Sequence, residues 1–298
     1  MTRLLFLLPG LLCAAESPEF MAGLHEWEAE VARPGAQAAR DLPEEVRGIL
    51  ALEPSERDEA QIATLAGYFR TLQKQAAVND RVAVARAARG ESIRRRFAEA
   101  GLAYPPREIF LRAFKHEMEL ELWAREKDEP FRKVATFGVT AASGGPGPKR
   151  REGDRQVPEG CYTINVFNPQ SRFHLSIGLD YPNESDRILS DRARPGGEIY
   201  IHGGAASIGC LPLGDPAIEE LYLTALDTRQ RGQPAIRVHI FPARMSGDGW
   251  KAFAKSAAEG KPELRAFWEN LQPVHDAFER ERRVPETGVA GDGSYRLK

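Results

Sequence analysis

Cysteine is scarce in this 298-residue chain: Cys13, Cys161 and Cys210 are too few for a disulfide framework, and no two stand in the C-x-x-C pairing of a zinc module. An important cysteine is therefore expected to act alone. An excess of charge of either sign is missing too. Lys and Arg number 41 against 43 Asp and Glu, a net charge of -2, so no global basic field exists to hold a phosphate backbone and nucleic acid is not an expected partner. No stretch after the amino terminus approaches the roughly 18 apolar residues that span a bilayer. Internal repeats and low-complexity tracts are absent as well. What is present is an ordinary globular balance, 42% hydrophobic and 28% charged, on a chain long enough for about two domains.

The amino terminus reads as an address. Met1-Thr2-Arg3 precedes an apolar run over 4–12 and the small-residue stretch Cys13-Ala14-Ala15, the pattern of a secretory signal peptide cleaved after Ala15. Leu11 and Leu12 stand before Cys13 where lipoprotein acylation calls for small residues, so an acylated anchor is not expected. The mature chain is expected to be soluble in the periplasm or another extracytoplasmic space.

Residues 16–104 are rich in Ala, Glu, Arg and Leu with helical periodicity, and Pro34, Pro43 and Pro54 divide them; three or four short helices are expected. The run Arg94-Arg95-Arg96, flanked by Glu91 and Glu99, reads as a solvated helix face. The pattern changes at Pro105-Pro106. Over 109–122, an apolar run followed by alternating Glu and apolar residues predicts a half-buried hairpin. Further strands are expected over 134–140, 161–167, 173–179, 199–202 and 236–241. One helix interrupts them over 215–230, with Asp215 as its N-cap and Pro216 at its first position. The loop over 141–160 is long for a simple connection and expected to be functional or disordered. Residues 105–245 thus read as one strand-dominated domain, and 246–298 as a carboxy-terminal extension of helices, near 249–258 and 262–282.

The segment from Ile199 to Asp215 concentrates the candidate chemistry. A strand ends at His202, small residues follow, and Cys210 precedes the next helix. A free thiol with a pKa near 8.5 is about 3% ionised at pH 7, so a nucleophilic cysteine needs a base or a positive environment. His202 is the nearest base. Gly209 permits a backbone geometry that aims N–H groups at a developing oxyanion. A lone His and a lone Cys in a loop are also commonly structural, and at this level both readings stand. A zinc site from His174, His202, Cys210 and Cys161 fits by ligand type, but the spacing gives it no support. Cys161, in strand alternation with Tyr162 and Ile164, reads as a buried core thiol.

His202-Gly203 followed by Ser207-Ile208-Gly209-Cys210 resembles the His-Gly … Ser-x-Gly-Cys signature of the L,D-transpeptidase (YkuD-domain) family of bacterial cell-wall enzymes. The resemblance extends to its YafK-like branch through Gly147-Pro148-Lys149, Glu152-Gly153-Asp154, Pro158-Glu159-Gly160, Phe173-His174-Leu175, Tyr181-Pro182-Asn183, Phe267-Trp268 and Tyr295. It covers about 106–295. It implies an α+β fold: a mixed β-sandwich-like catalytic domain with an amino-terminal helical region and carboxy-terminal packing helices. It also implies Cys210 as nucleophile, His202 as base, and Ser207 and Gly209 shaping the loop and oxyanion site. Lys149, His174 and Gly203 become substrate-binding candidates, and neither metal nor cofactor is called for.

The implied partners are peptidoglycan stem peptides and, for this branch, a wall-attached lipoprotein. Three functions compete: an L,D-transpeptidase working through a thioester; an L,D-hydrolase that gives the same acyl-enzyme to water and frees lipoprotein or a D-amino acid; and a non-catalytic wall-binding protein. One departure stands out. Many members carry a basic residue between the Ser and Gly and an Arg two residues after the Cys, where this chain has Ile208 and Pro212. Lys149, Arg150 and Arg151 are the candidate replacements for that charge.

Overall fold

The structure, a computed structural model, describes residues 17–32 and 42–298. The segment read as a signal peptide, Cys13 included, lies outside the described residues. The chain forms two compact units, Met1–Ala77 and Val78–Lys298. The expected border between residues 104 and 105 falls inside the second.

In the first unit, helices α1 (Pro18–Val31) and α2 (Glu44–Leu50) precede the start of α3 (Glu59–Glu99). Leu65 joins Val31, Val46 and Ile49 in one apolar cluster, and Phe69 joins Leu24 in another. The prolines act as expected where they are described: Pro43 stands immediately before α2 and Pro54 opens a 3-10 turn. Three α-helices are described where three or four short ones are expected, but with no proline between Pro54 and Pro105 the last of them runs for 41 residues. Gly101, at φ +68°, ends it, and the Leu102 N–H donates back to the Phe97 carbonyl.

The second unit is built on one mixed sheet. Its strands are β1 (Glu108–Phe114), β2 (Glu119–Arg125), β3 (Arg132–Gly138), β4 (Gly160–Asn168), β5 (Ser176–Leu179), β6 (Tyr200–His202), β7 (Leu211–Pro212) and β8 (Arg237–Phe241), in the order β3-β2-β1-β8-β4-β5-β6-β7. The β1–β8 and β6–β7 pairs are parallel and the others antiparallel. Helices α4 (Glu184–Leu189), α5 (Asp215–Gln230), α6 (Gly247–Ala257) and α7 (Pro262–Glu281), with the hairpin β9 (Thr287–Val289) and β10 (Tyr295–Leu297), complete the unit. The fold is α+β, a curled sheet with peripheral helices, as the resemblance implies. Among the described residues no helix is long and apolar enough to cross a membrane.

The β1–β2 hairpin is buried on both faces, not on one. Leu111, Ala113, Leu120 and Leu122 enter the main core, while Phe110 and Trp123 on the other face meet Phe278 of α7. The alternating glutamates misled the sequence reading because Glu121, 1% exposed, is buried as an ion: it accepts hydrogen bonds from Arg112, Trp123 Nε1 and Arg244. The cover comes from α7, where Trp268, Leu271, Val274, His275 and Phe278 fall on one face at helical spacing.

The carboxy half of α3 packs on α5 through ion pairs. Arg86 binds both Asp227 oxygens at 2.7 Å, Arg89 reaches Glu219 at 2.7 Å, and Arg96 reaches Glu220 at 2.9 Å. Arg96 is therefore an interface cation and not part of a purely solvated face. Ala85, Ile93 and Phe97 of the same half helix enter the main core. Two smaller expectations also shift. The cap of α5 is Gly214, with Asp215 its first residue, and residues 173–175, expected as strand, form a turn in which His174 sits at φ +71°.

Candidate active site

The site is set by the short parallel pair β6–β7. Ile201 stands opposite Leu211 and His202 opposite Pro212, so one step back along the register Cys210 faces Tyr200. The Tyr200 N–H donates to Cys210 Sγ at 3.4 Å, and the thiol donates to the Glu198 carbonyl at 3.7 Å. Side chains two apart on a strand share a face. His202 ends β6 and Cys210 stands immediately before β7, and both line a groove of about 1200 Å³.

His202 is buried, and its environment fixes its tautomer. Nδ1 lies 2.5 Å from the Gly203 carbonyl. A carbonyl only accepts, so Nδ1 carries the proton and Nε2 keeps the lone pair of a base. Burial lowers the imidazole pKa below 6.5, and the Gly203 bond offsets only part of that shift. Cys210 is half-buried, and burial raises its thiol above 9.0; the Tyr200 N–H and Lys149 pull it down while Glu198 pushes it up. At neutral pH the two groups are a neutral thiol and a neutral imidazole. A thiol in that state becomes nucleophilic only when a base takes its proton.

Ser207 organises the loop that carries Cys210. Its hydroxyl donates to the Cys210 carbonyl at 2.8 Å, accepts the Gly209 N–H at 3.2 Å, and lies 3.1 Å from the Ser143 hydroxyl. The Gly209 N–H, expected to face an oxyanion, is thus engaged by Ser207. Gly209 itself is required by geometry: its φ is +132°, and a Cβ there would lie 3.0 Å from the Gln156 carbonyl.

The substrate-binding candidates separate. Lys149 lines the groove but is buried, with Nζ donating to Asp154 at 2.7 Å and to the Arg151 carbonyl at 2.9 Å. His174 turns away from the groove, its Nε2 lying 2.8 Å from Glu219 of α5. Gly203 is buried behind His202, where a Cβ would meet Asp215 Oδ1 at 2.5 Å and the Phe173 carbonyl at 2.7 Å. It positions the base and does not line the groove. Of the other cations in the 141–160 loop, Arg150 pairs with Asp186 at 3.0 Å. Cys161 and Cys210 are both free thiols; Cys161, expected as a buried core thiol, is half-buried against the Trp268 cluster, and burial drives its pKa up to about 12. Among the described residues no His, Cys, Asp and Glu cluster could hold a metal ion.

Two contributors escaped the sequence reading. Phe173 stacks on His202, and Asp154 knits the 141–160 loop by accepting from Lys149 Nζ and the N–H groups of Arg150, Arg151 and Gln156. Both lie in segments that carry the family resemblance, but nothing in their spacing announces what they touch.

A groove lined by an imidazole with a free Nε2 and by a free thiol holds the two groups that cysteine acyl transfer requires. The L,D-transpeptidase catalytic domain known as YkuD matches residues 117–240. The chain is 32% identical over 189 residues, 63% of its length and 72% of the relative's, to the Escherichia coli K12 protein named "Putative L,D-transpeptidase YafK", and likewise to its Escherichia coli O157:H7 counterpart. This chain belongs to the L,D-transpeptidase (YkuD) family. Among solved structures, the helical cell shape determining protein Pgp2 from Campylobacter jejuni aligns at 17% identity with a TM-score of 0.37, covering 61% of this chain and 73% of that one. Bdellovibrio bacteriovorus Bd1075 aligns at 18% identity with a TM-score of 0.33, covering 57% and 62%.

Proposed function

We propose that this protein is an exported, cysteine-dependent L,D-transpeptidase acting on peptidoglycan stem peptides. The observation that carries the reading is the β6–β7 register, with His202 and Cys210 in one groove and His202 Nδ1 committed to a carbonyl. In the forward step, Nε2 takes the thiol proton as Sγ bonds to the carbonyl carbon at the L-centre of the diamino acid, and the carbonyl oxygen becomes the oxyanion. That tetrahedral intermediate collapses as the imidazolium protonates the departing amine, D-Ala or another group, leaving a thioester and a neutral imidazole. An acceptor amine then loses its proton to Nε2, attacks the thioester, and releases the thiol. The Cys210 N–H is the candidate oxyanion donor, since Ser207 holds that of Gly209. No step calls for a metal or cofactor.

The test is mass spectrometry of muropeptides after mature protein is incubated with diaminopimelate-type peptidoglycan bearing bound lipoprotein, with Cys210→Ala as control. New 3→3 cross-links or amine-exchanged stems, absent from the control, are expected. Freed lipoprotein without cross-links would make the protein an L,D-hydrolase that uses the same thioester. Identical products from protein and control would leave a wall-binding role.

A further inference from the structure

The loop carrying the nucleophile offers no charge of its own: residues 203–214 contain neither Lys nor Arg, and Ile208, 77% exposed, lines the groove where it could have supplied one. Lys149 is neutralised by Asp154, and Arg150 by Asp186. Any recognition of anionic groups near Cys210 therefore falls to the groove's outer walls.

Three exposed arginines stand on those walls, Arg155, Arg172 and Arg194. Among the described residues none of them forms an ion pair, in contrast to Arg86, Arg89, Arg96, Arg112, Arg125 and Arg244, which all do. Asp191, near Arg194, is committed to the N–H groups of Ala193 and Arg194. The three sit on three different segments. Arg172 precedes Phe173, whose ring covers His202. Arg155 precedes Gln156, whose carbonyl lies against Gly209. Arg194 begins the stretch that runs to Glu198, whose carbonyl accepts from the thiol. With Lys149 set aside as neutralised, they give three cations against Glu152 and Glu198 among the lining residues, although the chain as a whole is net negative. Cations gathered around a concave surface focus their field into it.

We propose that Arg155, Arg172 and Arg194 form a carboxylate-binding rim that receives an acidic peptide, with Arg172 holding a carboxylate on the His202 side and Arg194 one on the thiol side. The inference rests on the peptidoglycan reading and deepens it: specificity comes from three separated wall residues and not from the nucleophile loop. Guanidinium groups suit this task because each presents a planar pair of N–H donors to a carboxylate.

The test reads binding apart from turnover. Cys210→Ala protein is titrated calorimetrically with a diaminopimelate-containing tetrapeptide and with the same peptide amidated at its carboxylates. Arg172→Gln and Arg194→Gln, each in the Cys210→Ala background, are expected to weaken the acidic peptide roughly tenfold, the loss usual for one hydrogen bond to a charged group. Lysine at either position should restore part of the loss, the amidated peptide should lose little from either change, and Arg265→Gln on α7 should change nothing. Equal affinity of the two peptides, or arginine variants that bind as tightly as their parent, would overturn the rim. Arginine-dependent binding by a protein that never forms a thioester would uphold the rim and sink the catalytic reading. Turnover whose KM is unmoved by Arg172→Gln and Arg194→Gln would do the reverse.

Discussion

Phe173 lies nearly parallel over the imidazole of His202, ring centroids 4.5 Å apart and planes 29° apart. The stacked ring keeps water off the base, and burial is the main reason the imidazole sits below 6.5. Protonation removes the base, so activity falls as pH drops through that depressed value. The acid limb of kcat/KM is expected below pH 6.5. Phe173→Ala readmits water, raises the imidazole pKa and should move the limb upward towards 6.5. A wild-type limb above that value, or one that Phe173→Ala leaves in place, would contradict the assignment.

Ser207→Ala tests the loop. It leaves the Cys210 carbonyl and the Gly209 N–H without their partner. Stability should fall by about 1–2 kcal/mol, read by urea denaturation. kcat should drop by more than that figure implies, because the hydroxyl also fixes the peptide that carries the nucleophile. Unchanged kcat would mean that the loop keeps its shape without the serine.

Asp154→Asn tests the wall. Burial pushes the Asp154 carboxyl up, but the Lys149 ammonium and three backbone N–H groups outweigh it, and its pKa lies below 3.8. The unfolded chain therefore binds this proton more readily than the folded one. The stabilisation is complete above pH 3.8 and is lost as pH falls through the folded value. The variant should flatten that part of the stability curve and slow turnover by releasing Lys149. A curve superimposable on the wild type at acid pH would count against the role given to Asp154.

Arg112→Met probes the buried ion pair between β1 and β2. Arg112 and Glu121 are each 1% exposed and 2.7 Å apart, so removing the cation leaves a carboxylate deprived of its main partner. A loss of about 3–5 kcal/mol is expected, whereas the double change Arg112→Met with Glu121→Leu should cost far less. Equal losses in the two, measured by denaturant titration, would show that Arg244 and Trp123 hold Glu121 well enough alone.

The sequence disclosed what depends on local pattern. The α5 helix announces itself through Pro216 and its acidic first turn, and β4 and β8 through runs of β-branched and aromatic residues. The candidate base and nucleophile were legible because strand, small-residue loop and helix start follow one another within 17 residues. What stayed hidden depends on contacts between distant segments. Glu121 looks solvent-facing until α7, more than a hundred positions later, covers it. His174 looks like a neighbour of the site until a left-handed turn aims it at α5. The two-residue β7 has no alternation to count, yet its register sets Cys210 against Tyr200, in the groove that His202 also lines.

The ion pairs between α3 and α5 bear on how the catalytic unit can be isolated. Arg86, Arg89 and Arg96 precede both residue 105, where the strand-dominated domain is expected to begin, and residue 117, where the family match begins. A fragment cut at either position would strip the cations from Asp227, Glu219 and Glu220 and open the main core where Ala85, Ile93 and Phe97 fill it. The stretch that similarity recognises is thus shorter than the stretch that folds. Trimming the protein to its recognisable part would yield an acid-faced, hollowed fragment, whose inactivity would say nothing about Cys210.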